Sequence, residues 1–336
     1  MQILLLSVAF VLSVVFAGLM GFAIQRGATC TVAAMDEVVS RRKFNRIVSL
    51  IEASLWVVGG LLIAQALHLL PKMPAGYEAG WLTIVGALLL GLGAFVNGAC
   101  VFGAIARLGS GEWAYILTPV GFYLGCLTVA TLFPPPPPRL NTASPLFDVA
   151  MWLAIVFAML MLFRIVSPLF ANDADAPQSI GRRLHAALTS HIWSPHAATG
   201  VIGVTFVLIL LLIGGTWAYT DVLAELARGM AGSLVARFVL VIALFAGAVI
   251  GGYTAGRFRH TPITAGQIVK CTVGGMMMGW GTLLIPGSND GLILIGMPLL
   301  RPYAWIAFAT MCVSIGVALV VRKHLQNAPH EMMQHG

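Results

Sequence analysis

Nine apolar windows, each long enough to cross a bilayer, run through this chain. They lie at roughly residues 3–24, 47–70, 81–98, 114–133, 147–168, 199–218, 234–255, 266–286 and 303–321. A hydrocarbon core of about 30 Å needs roughly 20 apolar residues per helix. In lipid every backbone polar group must be satisfied within the protein, so such windows fold as helices. The reading is an all-α polytopic membrane protein of about nine transmembrane helices. The charge content agrees: 9% of residues are charged, against roughly 25% in a soluble domain. A soluble enzyme, a disordered chain and a nucleic-acid-binding module are excluded, despite a pI near 9.5.

The basic surplus reports topology. Lys and Arg collect on the cytoplasmic side of membrane proteins. With the N-terminus outside, 14 of the 19 Lys and Arg residues fall on inner loops and the tail, Arg41, Arg42, Lys43 and Arg107 among them. The opposite orientation reverses this ratio, so the expectation is an inner-membrane protein with its N-terminus outside and its C-terminus in the cytoplasm. The first window lacks a basic leader and a small-residue cleavage site, and is read as a span. Pro134 to Pro138 forms an extended outer stretch. The segment from Asn172 to Pro195, rich in charge, reads as the inner linker, and His185, His191 and His196 as residues of a solvated loop without tight ligand spacing.

Sliding the chain against itself exposes a repeat. In one constant register, Val85-Gly86 falls on Val273-Gly274, Gly91 and Gly93 on Gly279 and Gly281, Gly103 on Gly291, Ile105 on Ile293 and Tyr115 on Tyr303. Two four-span repeats are then joined by the fifth span, and an odd number of intervening spans inverts the second. The expected division is residues 1–133 as the first repeat, 134–198 as the outer proline-rich loop, linking span and inner linker, and 199–336 as the second, inverted repeat with a short inner tail. Inverted repeats are a common transporter plan, with sites near the midplane at short or broken helices.

The repeat points to two matching breaks. One is Phe95-Val-Asn97-Gly98-Ala-Cys100-Val-Phe-Gly103; the other is Leu283-Leu-Ile-Pro286-Gly287-Ser288-Asn289-Asp290-Gly291. Gly98 and Pro286-Gly287 interrupt the helix. Cys100 and Ser288 occupy the same place in the two repeats, at the start of a second half-helix, where free N–H groups and the helix dipole favour an anion. A third polar cluster, Gln25-Arg26-Gly27-Ala-Thr29-Cys30-Thr31, follows the first window. The stretch after it, Thr31 to Ser40, is too short to cross and reads as a re-entrant or interfacial helix. Its repeat counterpart puts Ala218 under Cys30. The candidate substrate-binding residues are thus Cys30, Cys100, Ser288, Asn289, Asn97, Gln25 and Asp290.

Other residues read as structural. Cys126, Cys271 and Cys312 sit mid-helix without polar neighbours and behave as small apolar packers. Met276-Met277-Met278 spreads over three faces of a helix and reads as core. Glu52, close to the inner loop, is expected to pair with Arg46. No catalytic set, metal-ligand cluster, cofactor motif or ATP-binding G-x-x-x-x-G-K-[ST] pattern occurs.

Gln25-Arg26-Gly27-x-x-Cys30, Asn97-Gly-x-Cys100-x-x-Gly103 with Arg107-Leu-Gly109, and Gly-Arg257-Phe-Arg259 ahead of Gly279-x-Gly281…Gly287-x-Asn289 together resemble the YeeE/YedE sulfur-transport family, in the same order over nearly the whole chain. The best-known members are bacterial thiosulfate permeases. The resemblance implies a nine-span inner-membrane protein with pseudo-twofold symmetry. It also implies a thiosulfate path lined by three cysteines, whose thiols pass the ion along through weak hydrogen bonds. This chain supplies Cys30 and Cys100; at the third position it has Ser288, which donates to an oxyanion but offers no soft sulfur.

The expected function is a permease for thiosulfate or a related small sulfur-containing anion, and not an enzyme. The alternatives are a membrane sulfur-relay protein that cycles a cysteine persulfide and a soft-metal permease; the first lacks an accompanying acid–base pair, the second His-Cys ligand clusters. The expected partners are the sulfur oxyanion, the lipid bilayer and a cytoplasmic sulfur-handling protein, with no nucleic acid.

Overall fold

In a computed structural model, residues 7–136, 138–141, 144–148, 152–170, 190–229 and 234–334 are described. Most of the inner linker, including His185, and Pro137 of the proline run lie outside them. The chain is a bundle of thirteen described helices: α1 (Val8–Gly27), α2 (Thr31–Arg41), α3 (Asn45–Ala66), α4 (Trp81–Asn97), α5 (Val101–Gly109), α6 (Leu117–Leu132), α7 (Trp152–Phe170), α8 (Pro195–Ile213), α9 (Tyr219–Ala227), α10 (Leu234–Thr254), α11 (Ala265–Leu284), α12 (Asn289–Gly291, continuing as a π turn over Leu292–Gly296) and α13 (Pro302–Gln334). Their starts follow local chemistry. Ser7 accepts from the Phe10 N–H, Ser194 caps a helix with Pro195 in its first turn, and Thr264 and Gln267 form a capping box. Gly76–Tyr77 (β1) and Leu140–Asn141 (β2) pair as a short antiparallel ribbon.

Seven helical segments are long and apolar enough to cross a membrane, eight with the bent pair Ala265–Leu284 and Asn289–Gly296, which turns by 49° at its break. Nine crossings were expected from the windows. The window at 147–168 forms the apolar helix α7, Trp152–Phe170, whose Arg164 pairs with Glu52. Glu52 therefore does not pair with Arg46; its other oxygen lies 2.5 Å from His196 Nδ1, and Arg46 donates its N–H to Glu37 and its guanidinium to the Ala28 carbonyl. His196 is not a loop residue, since α8 already begins at Pro195. Val8, Val15, Ile155, Phe163, Ile242 and Val313 present bare apolar surface, as lipid-facing positions do.

Glycines that align in the sequence register also meet in space. α4 and α11 cross with Gly86 on Gly281 and Gly93 on Gly274, so the two helices run antiparallel. A methyl group at Gly93 would sit 2.8 Å from the Gly274 carbonyl oxygen, and one at Gly274 2.7 Å from that of Gly93. Small residues let backbones approach this closely where no water drives association. Elsewhere the halves interleave: α10 packs along α1, and α3 along α8. Helix starts keep the register of the sequence repeat: Thr31 opens α2 where Tyr219 opens α9, and Val101 opens α5 where Asn289 opens α12.

Candidate functional site

Four helix N-termini converge in the middle of the bundle. Cys30, Cys100, Ala218 and Ser288 are the extended residues that precede α2, α5, α9 and α12. Each break is forced locally. Gly98 takes a left-handed conformation, φ +75°, that ends α4, and Pro286-Gly287 ends α11. Asn97 braces the first break: its Nδ2 donates to the Ala99 carbonyl at 2.7 Å, its Oδ1 accepts from Thr118 at 3.0 Å, and its carbonyl accepts from Tyr115 at 3.2 Å. Its side-chain amide thus ties the turn to α6.

The N-termini are tied across the bundle by short polar side chains. The Thr31 N–H donates to Cys100 Sγ at 3.1 Å, both fully buried. Cys30, half-buried, lies against Gly103, where an added methyl group would collide with its sulfur. Asn289 Nδ2 donates to Thr31 Oγ1 at 3.3 Å, and the Tyr219 hydroxyl donates to the Val101 carbonyl at 3.3 Å. These two contacts are repeat mates, Thr31 matching Tyr219 and Val101 matching Asn289. Ser288 Oγ lies 2.5 Å from both Thr220 Oγ1 and Asp290 Oδ1 and caps the Gly291 N–H at 3.4 Å. Thr220 also reaches Asp290. Asp290 is thus held by two hydroxyls at 2% exposure, with no ion pair among the described residues.

Of the candidates, Cys30, Cys100, Ser288, Asn289 and Asp290 come together at this junction and Asn97 supports it from behind. Gln25 stands apart. It donates to Ser110 at 3.3 Å and is wedged against Gly109, Gly251 and Gly252 where α1, α5 and α10 meet. Thr31, Tyr219, Thr220 and Asp221 also meet at this junction but were not among the expected residues. Tyr219 and Thr220 are the repeat mates of Thr31 and Val32, so the repeat itself carried the signal.

A cavity opens on each side of the junction. One, of about 350 Å³, is lined by Cys30, Asp36, Phe95, Gly98, Gly103, Arg107 and Arg322, among others. The other, of about 210 Å³, is lined by Asp221, Leu283, Pro286, Gly291, Arg228, Arg237, Arg301 and Tyr303, among others. Phe95, Gly98 and Gly103 of the first match Leu283, Pro286 and Gly291 of the second in the repeat register. α13 contributes Arg322 to one cavity and Tyr303 to the other. At a rise of about 1.5 Å per residue these two positions stand roughly 28 Å apart along the helix, so the cavities lie toward opposite faces of the bundle. The junction between them contains backbone N–H groups, thiol, hydroxyls, amide and the carboxyls of Asp221 and Asp290, and no Lys or Arg. Among the described residues, no group of three or more His, Cys, Asp or Glu side chains is placed to hold a metal ion.

The thiosulfate transporter TsuA of Escherichia coli (strain K12) is 25% identical over 333 residues, covering 89% of this chain and 91% of that protein. The family model for sulphur transport matches residues 26–319, from the first polar cluster through the last window. With broken helices meeting between two cavities in a multi-pass membrane bundle, this chain belongs to the sulphur transport family.

Proposed function

We propose that this protein is an inner-membrane permease for thiosulfate or a closely related sulfur dianion, which crosses between the two cavities through the junction of Cys30, Cys100, Thr31, Asn289 and Ser288. The observation that carries the reading is the meeting of four helix N-termini between the cavities. A dianion there finds backbone N–H groups and helix dipoles, which favour negative charge, and small neutral donors, which release it. A fixed guanidinium at the junction would hold the ion too tightly for passage. In this reading the two halves are inverted repeats, the cavity with Arg301 faces outward and that with Cys30 faces the cytoplasm. Reporter fusions after Lys72 should then read outside and those after Lys323 inside; the reverse would refute the orientation.

The test of function is growth. A thiosulfate-uptake-deficient bacterium given this gene should grow on thiosulfate as sole sulfur source. Failure to grow, with the protein present in the membrane, would refute the reading.

A further inference from the structure

We propose that Asp290 takes up a proton when the dianion occupies the junction, and that proton and dianion cross together. The coupling rests on the transport reading and names what drives it. Asp290 follows Asn289 at the start of α12, is 2% exposed and has no ion pair among the described residues. Its Oδ1, Thr220 Oγ1 and Ser288 Oγ form a closed triangle. Ser288 Oγ lies 2.5 Å from each of the other two, and Thr220 touches Asp290 as well. Ser and Thr hydroxyls donate once each, so two protons serve three contacts. The third contact is a hydrogen bond only when the carboxyl carries a proton of its own. Oxygens that touch one another leave no space among them for a metal ion, so the triangle suits a proton and not a sodium ion.

Electrostatics require the same state. A buried carboxylate without a counter-charge is costly, and a second anion beside it raises the cost. The polar groups presented to α12 and its π turn are Tyr219 and Asp221 of α9, Cys100 ahead of α5, Thr31 of α2, Tyr303 of α13 and Ser54 of α3. None of these is a cation. Arg228, Arg237 and Arg301 line the outer cavity instead, and Glu225 pairs with Arg237. Asp290 therefore admits a dianion to the junction as a neutral acid. Asp221 links it to water: it lines the outer cavity, and its two oxygens lie 3.6 and 3.8 Å from the position of a methyl group on Gly291, whose N–H Ser288 caps. The proton enters from the outer solution, binds the Asp290 carboxylate as the dianion arrives, and is released to water on the inner side. No bond within the dianion forms or breaks. The device belongs to the second half alone, since the repeat mate of Asp290 is Phe102.

The test uses purified protein in proteoliposomes held at zero membrane potential by valinomycin and equal potassium. Labelled thiosulfate is added at one medium pH to vesicles whose lumen has that pH or is more alkaline, so outer surface groups titrate alike in both arms. A lumen more alkaline by about one unit should drive about tenfold accumulation per proton carried, since a tenfold ratio of either ion is worth the same free energy. Wild type should show that accumulation, lose it on addition of a protonophore, and acidify the lumen during uptake, as read by a pH-sensitive dye. Asp290→Asn keeps the shape of the side chain but carries no proton, so the pH gradient should no longer drive accumulation. Glu78→Gln, at an exposed ion pair with Arg139, should accumulate as wild type does. Full accumulation by a folded Asp290→Asn would place the proton elsewhere and overturn the proposal. Wild-type uptake that merely equilibrates, with the lumen pH unchanged, would overturn it too and leave the permease reading standing, as would accumulation driven by a sodium gradient alone. If Asp290→Asn does not fold, these wild-type arms decide. Absence of uptake by folded wild type in every arm would refute the permease reading itself, and the coupling with it.

Discussion

Replacing Cys100 separates two roles that its position allows. Its sulfur is fully buried and accepts the Thr31 N–H at 3.1 Å. In Cys100→Ala that N–H loses its partner in the dry interior, at a cost of about 1–3 kcal/mol. If the cost falls on the geometry of the α2 start, the junction loses affinity by roughly 5- to 150-fold. Cys100→Ser keeps an acceptor of similar size and removes only the soft sulfur. The assay is the initial rate of labelled thiosulfate uptake by whole cells, divided by the amount of transporter in the membrane. The expected order is wild type, then Ser, then Ala, with Ala at least fivefold below wild type and its membrane level near normal. Equal rates for Ala and wild type would refute the reasoning, because the Thr31–Cys100 contact would then have no part in passage.

Three further outcomes follow from other contacts. Ser288→Ala removes the cap of Gly291 and one of the two hydroxyls on Asp290, a loss of about 1–2 kcal/mol for the cap alone; both uptake and the melting temperature of the purified protein should fall. Gly93→Val places a branched side chain where the Gly274 carbonyl leaves 2.8 Å, so the α4–α11 crossing should fail and membrane levels should drop sharply on a quantitative blot, whereas Cys312→Ser, at a packed position of α13, should change uptake little.

The fold was legible where one physical signal acted alone. Apolar length located the spans, and Gly98 and Pro286-Gly287 located the breaks, because a backbone interruption at membrane depth needs those residues. The glycine register was readable for a reason the structure explains: Gly86, Gly93, Gly274 and Gly281 face one another across the α4–α11 crossing, so each half must keep the same spacing. The partner of Glu52 was less readable, since it pairs with Arg164, 112 residues away along the chain, and not with the nearby Arg46. Cys30, Cys100 and Ser288 could be placed together from the sequence because each precedes a half-helix. Gln25 packs apart from them, in a three-helix contact, and a polar residue beside a glycine break looks the same in sequence wherever it points. Tyr219 and Thr220 were missed because their partners, Val101 and Ser288, lie far away along the chain.

The two breaks also differ in side-chain chemistry along the aligned register. Gly98 stands where the second half has Pro286, Cys100 where it has Ser288 and Cys30 where it has Ala218. Thiols therefore gather toward the Cys30 cavity, while hydroxyls and a carboxyl gather at Ser288, Thr220 and Asp290.

Uptake of labelled thiosulfate by proteoliposomes that contain only this purified protein tests the central claim most directly. The account predicts saturable uptake above protein-free liposomes, reduced at least fivefold by Cys100→Ala. Uptake no greater than in protein-free liposomes, from wild-type protein shown to be folded, would contradict it.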